Sequence, residues 1–414
     1  MAAYETGASR SEVVNFTYLV NEGDTLETVS IVTDPYNLWD YNYGIYADGP
    51  YISDEYPYQG ANYWRNWERA ASVALFEEDG SVAFYETCGL KIFGGYSRSN
   101  TKKSFACMFR GKYGASSLDY PLFGDKGIDS YQSFVLRAGG QDAYSAKIRD
   151  EMITSLANDY LGIAVQQYRP VVLYLNGSYW GIYFIREKIT DQYVAGNFNV
   201  NAEDVVLSHW SGDDCASYVA LQNYARRNDL SKQEHYDYIL SQINEQNYMD
   251  NVIAQMWIQN VDLGNVKFFR APDLEWHWVL FDTDLSFLSP SADSVRYNLI
   301  KGNIWSLDIM SRVLIVKLIK NPEFRDTFIR RIAYQVNTVW NEKVVVDRID
   351  YFQDLLQADM AKECRRWGGS VSGWEKQVEG LRNFARKRNS YFIPDVKAFF
   401  GLTDQQMRDY GFEV

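Results

Sequence analysis

The sequence predicts an α+β fold, with a β-rich N-terminal half followed by a helical C-terminal half. Two apolar runs flank Asn176–Gly177, the dipeptide that most strongly indicates a two-residue β-hairpin turn. A second hairpin signal, Asp79–Gly80, separates the β-like runs Ser72–Glu77 and Val82–Glu86. After Thr190 the pattern changes, because apolar residues then recur at helical spacing between charged ones.

The elements of the N-terminal half follow from short apolar runs between turn signals. We expect strands or hairpins at Val13–Val20, Thr28–Val32, Ser72–Glu77, Val82–Glu86, Gly89–Tyr113, Ser133–Gly140 and Arg169–Ile189. The segment Ala146–Leu161 has helical spacing, with Ile148, Met152 and Leu156 on one face. Residues 82–189 are therefore expected to form a mainly antiparallel sheet with one helix.

The C-terminal half is predicted to be helical except for one hairpin. Helical periodicity covers Ser217–Asn228, Lys232–Gln246, Asn251–Trp257, Ile304–Lys320, Glu323–Gln335, Glu342–Trp367, Gly373–Asn389 and a short final segment, Leu402–Tyr410. The hairpin is Val266–Leu280, in which two aromatic-rich runs flank a turn at Ala271–Pro272–Asp273. Polar stretches at Asn197–Asp204 and Ser211–Asp214 are expected to be loops.

Composition excludes several classes of function. The formal net charge of −13 provides no general basic field to attract nucleic acid, and it favours a basic partner instead. No apolar run reaches the length of about 18 residues that a membrane span needs. The N-terminus MAAYETGASRSE has no signal-peptide pattern. Four cysteines (Cys88, Cys107, Cys215 and Cys364) are too few and too scattered for a disulfide framework or a zinc site.

The stretch Trp257–Phe287 carries the clearest candidate for chemistry. Its predicted hairpin brings Asp262 and Asn265, before the first strand, near Asp282 and Asp284, after the second. Three carboxylates and a carboxamide are hard oxygen ligands suited to Mg²⁺. Phosphoryl transfer needs the same set, because one carboxylate orients the attacking hydroxyl while an Asn and another Asp hold metal ions. The alternative is structural, since Asp, Asn and Gly are also ordinary turn and cap residues.

A second candidate is the segment Gly89–Tyr113, which has the pattern of a strand, a glycine-bearing turn and a returning strand. Its polar loop gathers Arg98, Lys102 and Lys103 in a chain that is otherwise acidic. A glycine-containing turn with a lysine on the returning strand is one way to cover nucleotide phosphates. The alternative is an exposed hairpin with solvated charges.

Four strings occur in the chain in this order: GGYSRSNTKKSF, LRAGGQDAYSAKIRD, LNGSYWGIYFIREKI, and NVDLGNVKFFR followed by WVLFDTD. Together they resemble the CotH kinase family over roughly residues 80–400. The resemblance implies an atypical protein-kinase-like fold with two lobes and the active site at their junction. We expect a β-rich N-terminal extension (1–80) packed on the N-lobe, a kinase-like N-lobe (81–195) and a helical C-lobe (196–414) that carries the catalytic hairpin.

The resemblance also implies roles for individual residues. Asp262 resembles the catalytic-loop aspartate, Asn265 and Asp282 resemble metal-holding residues, and Asp284 is a second metal ligand or a structural partner. Lys103 resembles the lysine that reaches the phosphates, with Arg98 as a helper, and Glu187 lies where such folds have the hinge beside the adenine. Arg137, Arg149 and Asp150 match the family strings without an assigned role. The sequence lacks the HRD and DFG motifs, and Leu285–Ser286–Phe287 departs mildly from the family pattern after the second aspartate string.

The function implied is an ATP- and Mg²⁺-dependent protein kinase that acts on Ser or Thr of a protein substrate, with a basic Ser/Thr-rich chain suiting the acidic surface. The family's habit implies an extracellular, spore-surface or cell-surface location. Two alternatives remain open. One is a pseudokinase-like surface adhesin that binds a partner without turnover. The other is a carbohydrate-active protein, suggested by the Tyr- and Trp-rich segment Trp39–Trp67, in which Asp282 and Asp284 would serve as the carboxylate pair.

Overall fold

The computed structural model describes residues 15, 17–20, 22–124, 126–209, 215–262, 264–301 and 310–413, and their chain forms two compact units. The first unit comprises Met1–Ala143, Tyr168–Lys188 and Leu356–Val371. The second comprises Tyr144–Gln167, Ile189–Leu355 and Ser372–Val414. The predicted α+β class is confirmed, because strands dominate the N-terminal half and helices the C-terminal half.

The strands and helices of the described residues are numbered here in chain order. The strands are β1 Glu27–Val32, β2 Arg69–Phe76, β3 Val82–Phe93, β4 Ser104–Met108, β5 Leu118–Asp119, β6 Ser130–Tyr131, β7 Ser133–Arg137, β8 Ala164–Val165, β9 Tyr168–Leu175, β10 Ser178–Glu187, β11 Val206–His209, β12 Lys267–Ala271 and β13 Leu274–Leu280. The helices are α1 Pro35–Trp39, α2 Arg149–Leu161, α3 Asp191–Phe198, α4 Ala216–Arg227, α5 Gln233–Leu240, α6 Glu245–Trp257, α7 Ser294–Arg296, α8 Met310–Leu318, α9 Pro322–Thr338, α10 Glu342–Gln357, α11 Met360–Trp367, α12 Val371–Phe400 and α13 Asp404–Asp409.

Several helix predictions are corrected in their limits. The segment Lys232–Gln246 forms two helices rather than one, because Asn244 caps a new helix by accepting a hydrogen bond from the Asn247 amide. The segment Glu342–Trp367 is likewise divided, into α10 and α11.

The strand predicted at Val13–Val20 falls partly outside the described residues, and the described ones there, 15 and 17–20, are not in a strand. The start of Ile304–Lys320 and the break Ser211–Asp214 also lie outside the described residues. Within the described chain, none of the helices combines the length and the apolar character that crossing a membrane requires.

The first unit is built on a closed barrel of strands in the order β1-β2-β3-β4-β7-β10-β9. Neighbouring strands run antiparallel except β1 and β9, whose parallel pairing closes the barrel. The Asn176–Gly177 hairpin is confirmed between β9 and β10, and both turn residues have the positive φ angles that this turn requires. The barrel interior is apolar, with Val29, Leu136 and Leu173 fully buried in one core.

The strands of this unit come both from the segment assigned to the extension and from the segment assigned to the N-lobe. Strands β1 and β2, from the segment assigned to the extension, pair directly with strands of the segment assigned to the N-lobe. Residues 356–371, which contain α11, also belong to the barrel unit.

A buried ion pair fastens α11 to the barrel. The Lys102 ammonium lies 2.7 Å from Glu363 Oε1 and donates a second hydrogen bond, of 2.6 Å, to the Ile182 carbonyl. The other carboxylate oxygen of Glu363 accepts from the Ile182 amide at 2.8 Å. Gly181 permits this approach, because a Cβ there would lie 2.4 Å from Glu363 Oε2.

The second unit contains a four-stranded sheet in the order β11-β12-β13-β8. The predicted hairpin is confirmed as β12 and β13, with Asp273 at positive φ in its turn. Helix α6 is joined to this hairpin by Asn247, whose side-chain oxygen accepts from the Trp278 amide at 2.7 Å and whose side-chain nitrogen donates to the Trp278 carbonyl at 3.1 Å. The first turn of α6 is therefore fixed to strand β13 by one buried side chain.

We expect Glu363→Ala to lower the free energy of unfolding by about 3–5 kcal/mol, because it leaves the Lys102 ammonium buried without its carboxylate. The measurement is urea unfolding followed by circular dichroism. The matched control is Asp347→Ala, which removes the exposed partner of Lys343 on α10 and should leave the unfolding free energy nearly unchanged. Equal effects of the two substitutions would contradict the prediction.

Candidate active site

Three residues predicted for the site meet at the open end of the β12–β13 hairpin. Lys267 pairs with Val279, so Asn265 and Asp282 leave the sheet at the same end. The Asn265 side-chain nitrogen donates to Asp262 Oδ2 at 2.8 Å and to Asp282 Oδ2 at 2.7 Å. One amide therefore joins the two carboxylates that the sequence placed before and after the hairpin.

The Asp262 side of this cluster is positioned by the end of α6. Asn260, 2% exposed, accepts a hydrogen bond from the Asp262 amide at 3.0 Å through its side-chain oxygen. Its side-chain nitrogen donates to Gln255 Oε1 on α6 at 2.9 Å. Sequence reasoning gave Asn260 no role. The available signal was its spacing, because an Asn side chain often bonds the backbone two residues further on.

The Asp282 side is held by α2. Asp150 Oδ1 accepts from both the amide (2.8 Å) and the hydroxyl (2.9 Å) of Thr283, and both residues are buried. Asp282 itself has a φ of 54°, in the left-handed region. Asp284 follows two residues later and is buried, with 6% of its surface exposed. Asp150, which matched a family string without a role, is thus a neighbour of the metal-binding candidates.

A buried arginine on α12 fixes the chain on both flanks of the cluster. The Arg388 guanidinium donates to the carbonyls of Met256 and Trp257 at 3.1 and 2.8 Å, where α6 ends. It also donates to the carbonyls of Pro290 and Ala292 at 2.7 and 3.0 Å, beyond the Asp284 side. Burial lowers the pKa of Arg388 to about 10, so the side chain is still charged at neutral pH.

The electrostatics of the cluster favour a cation. Burial raises the pKa of Asp262, and the nearby Asp282 carboxylate raises it further. A bound cation would relieve this repulsion, and the donor set of carboxylate and amide oxygens is the set that Mg²⁺ prefers. In the part of the chain that the structure describes, no group of three or more His, Cys, Asp or Glu side chains could hold a metal ion. Mg²⁺ commonly binds proteins through only one or two carboxylates and takes its other ligands from phosphates and water, so Asp282 and Asn265 fit that mode.

The residues predicted to bind phosphates lie together in the first unit. The Lys103 ammonium donates to the carbonyls of Arg98 (2.6 Å) and Asn100 (2.9 Å), and it lies 3.8 Å from the centre of the Tyr63 ring. Burial lowers the pKa of Lys103 to about 8. The Arg98 guanidinium donates to the Gly94 carbonyl, and burial lowers its pKa as well. Both side chains thus hold the loop between β3 and β4, and their phosphate-binding roles stay predictions.

Glu187, the predicted hinge residue, ends β10 and is buried in the same unit. Its carboxylate forms an ion pair of 2.8 Å with Lys126. Burial lowers the pKa of Lys126, and Glu187 partly offsets this effect. Arg137 ends β7, and Arg149 begins α2, where it donates to the Ser145 hydroxyl at 3.3 Å. The adenine-side role of Glu187 stays a prediction.

Comparison with solved structures finds a weak match. It is to a chain of the Shewanella oneidensis MR-1 toxin–antitoxin system of HipA, HipB and its operator DNA, with 9% sequence identity and a TM-score of 0.28. The match covers 66% of this chain and 60% of that chain, which is less than two thirds of the solved chain's length. At this TM-score the likeness carries no argument. No curated protein matches the sequence.

Comparison with protein families gives a match to the family described as CotH kinase protein, over residues 90–392. This range includes the loop between β3 and β4, helix α2, the β9–β10 hairpin and the whole Asp262–Asp284 cluster. A β-rich N-terminal half with a helical C-terminal half is consistent with the kinase-like fold of that family. Because the match extends over most of the sequence, the chain belongs to the CotH kinase family.

Proposed function

We propose that this chain is an ATP- and Mg²⁺-dependent protein kinase that transfers the γ-phosphate to Ser or Thr of a protein substrate. The observation that carries the proposal is the single Asn265 amide that joins Asp262 and Asp282. Phosphoryl transfer consists mostly of positioning and charge neutralisation, so a small and firmly held set of acidic and amide groups is sufficient.

In this proposal Asp282 and Asn265 hold the metal ion, and Asp284 either assists as a second ligand or supports the turn. When bound there, Mg²⁺ would neutralise the negative charge that develops on the transferred phosphate. Asp262 orients the acceptor hydroxyl and takes up its proton. Its raised pKa supports that role, because a carboxylate of higher pKa is a better proton acceptor at neutral pH.

The substrate class is proposed from charge. A chain of net charge −13 attracts basic proteins, so the proposed acceptor is a Lys- and Arg-rich protein with Ser or Thr residues. Membership of the CotH family supports a spore-coat or cell-surface location, which we include in the proposal.

The test of the proposal is calorimetric titration of ATP into the protein, with Mg²⁺ and with EDTA. We expect binding only with Mg²⁺ and its loss in Asp282→Asn, because this substitution removes the charged metal ligand. Asn tolerates left-handed backbone, so the turn at position 282 can keep its shape. The matched control is Asp273→Asn, at positive φ in the turn at the opposite end of the same hairpin, which should bind like the wild type.

Absence of binding by the wild type under both conditions would overturn the kinase proposal. The leading function would then be a surface protein that binds a partner without turnover. Full binding by Asp282→Asn would remove Asp282 from the metal site.

We expect Asp262→Asn to retain Mg²⁺-dependent nucleotide binding but to lower phosphate transfer by about 10²–10⁴-fold, the usual contribution of a positioned proton acceptor. Transfer is measured with ³²P-labelled ATP, both onto the chain itself and onto myelin basic protein as a basic acceptor. Near-normal transfer by Asp262→Asn would show that another group accepts the proton.

Asp262→Asn should also raise the thermal unfolding midpoint at pH 7 in the absence of Mg²⁺. Because the folded protein raises the pKa of Asp262, stability is lost as pH rises from the ordinary Asp range through that higher value. Asn carries no charge, so the substitution removes this loss, and its benefit should shrink as pH falls toward 4. Midpoints measured by calorimetry from pH 4 to pH 8 test this. A benefit that grows on acidification would contradict the pKa direction.

A further inference from the structure

Asp150 forms two hydrogen bonds to the Asp282–Thr283–Asp284 turn, although the two segments are distant in the sequence. It lies in the first turn of α2, far from the hairpin in sequence, and is 2% exposed. One of its oxygens accepts from two donors of a single residue, the amide and the hydroxyl of Thr283, at 2.8 and 2.9 Å. Thr283 has no exposed surface. Such a pair of bonds fixes the backbone and the side chain of Thr283 together.

The amide that Asp150 holds belongs to the peptide plane between Asp282 and Thr283. Fixing that plane fixes the ψ angle of Asp282, and with it the direction in which the Asp282 side chain leaves the backbone. Asp282 also has a φ of 54°, in the left-handed region, which Asp adopts more readily than most other non-glycine residues but still at a cost that enforcing contacts must offset. The Asp150–Thr283 contact is such an enforcing contact. The Ser286 hydroxyl, which donates to the Thr283 carbonyl at 2.6 Å, supports the turn on its other side.

We propose that Asp150 is a positioning residue that holds the Asp282–Thr283–Asp284 turn in the conformation in which Asp282 faces Asn265. The proposal rests on the proposed function where it concerns metal binding, whereas its claim about the turn is independent of that function. Asp150 does not touch the nucleotide or the metal in this scheme. It acts through Thr283, so that the metal ligand is already oriented before any ligand arrives.

Hydrogen–deuterium exchange of the metal-free protein tests the claim about the turn. In Asp150→Ala we expect the amides of residues 282–286 to exchange about tenfold faster, because a charge-assisted acceptor has been removed from a buried amide. Asp150→Asn keeps an acceptor oxygen of the same shape and should restore slower exchange. Thr283→Val, which removes only the hydroxyl, provides a milder second variant if Asp150→Ala does not fold.

The Mg²⁺ requirement for nucleotide binding tests the claim about the metal ligand. We expect the Mg²⁺ concentration that half-saturates ATP binding to rise about tenfold in Asp150→Ala and in Thr283→Val, with binding restored at higher Mg²⁺, because the ligand is misdirected rather than absent. The matched control is Thr154→Val. Thr154 is buried in the same helix, and its hydroxyl donates to the Asp150 backbone carbonyl at 2.7 Å rather than to the turn.

The outcomes separate this inference from the kinase proposal. Faster exchange confined to residues 282–286, with Thr154→Val like the wild type, supports the positioning role even if the wild type binds no Mg²⁺–ATP. Unchanged exchange in Asp150→Ala and Thr283→Val overturns it, as does an equal effect of Thr154→Val, which would indicate general loosening of α2. If the wild type binds Mg²⁺–ATP and the variants bind with an unaltered Mg²⁺ requirement, positioning of the metal ligand is wrong.

Discussion

The close approach of the Asp262 and Asp282 carboxylates is the constraint on which the site depends. Two anions that share one Asn265 amide repel each other, and partial burial makes the repulsion stronger than it would be in water. The arrangement persists because the backbone at each aspartate is fixed by a hydrogen bond. Asn260 accepts from the Asp262 amide, and the Thr283 amide, next to Asp282, donates to Asp150. Such an arrangement lowers the stability of the free protein, and under the proposed function a bound cation would restore it.

Helix α12 carries none of the predicted site residues, but its Arg388 holds the chain on both sides of the site. Its guanidinium donates to backbone carbonyls on both flanks of the cluster, at the end of α6 and at residues 290–292. A buried cation satisfied largely by carbonyls carries a large desolvation cost, which is visible in its lowered pKa. That cost is offset because one side chain donates to four backbone carbonyls at a helix end and in a loop. The flanks of the site are thereby fixed to α12.

The hairpins, and the residues that lie at their ends, could be predicted from the sequence. Asn176–Gly177 specifies its turn locally, and the two aromatic runs around Asp273 predict a register that brings Asn265 to Asp282. What it could not provide were contacts between distant segments. Helical periodicity shows that α11 has an apolar face but not which sheet covers that face, so the Lys102–Glu363 pair was not foreseen. The part played by Asp150 was hidden for the same reason, since its partner lies far along the chain.

The sequence predicted that Lys103 belongs to the loop between two strands, but it could not predict which groups its ammonium contacts. Its ammonium closes the loop between β3 and β4 by two charge-assisted hydrogen bonds to carbonyls, each worth about 1.5–3 kcal/mol. A phosphate would therefore have to replace these bonds before it could gain from the lysine. The exchange is favourable only if the phosphate offers a full negative charge where the carbonyls offer dipoles, as a nucleotide triphosphate does. Because burial lowers the pKa of Lys103 to about 8, a phosphate beside the ammonium would also stabilise its charged form. The loop is thus kept in shape by the same group that a phosphate would recruit.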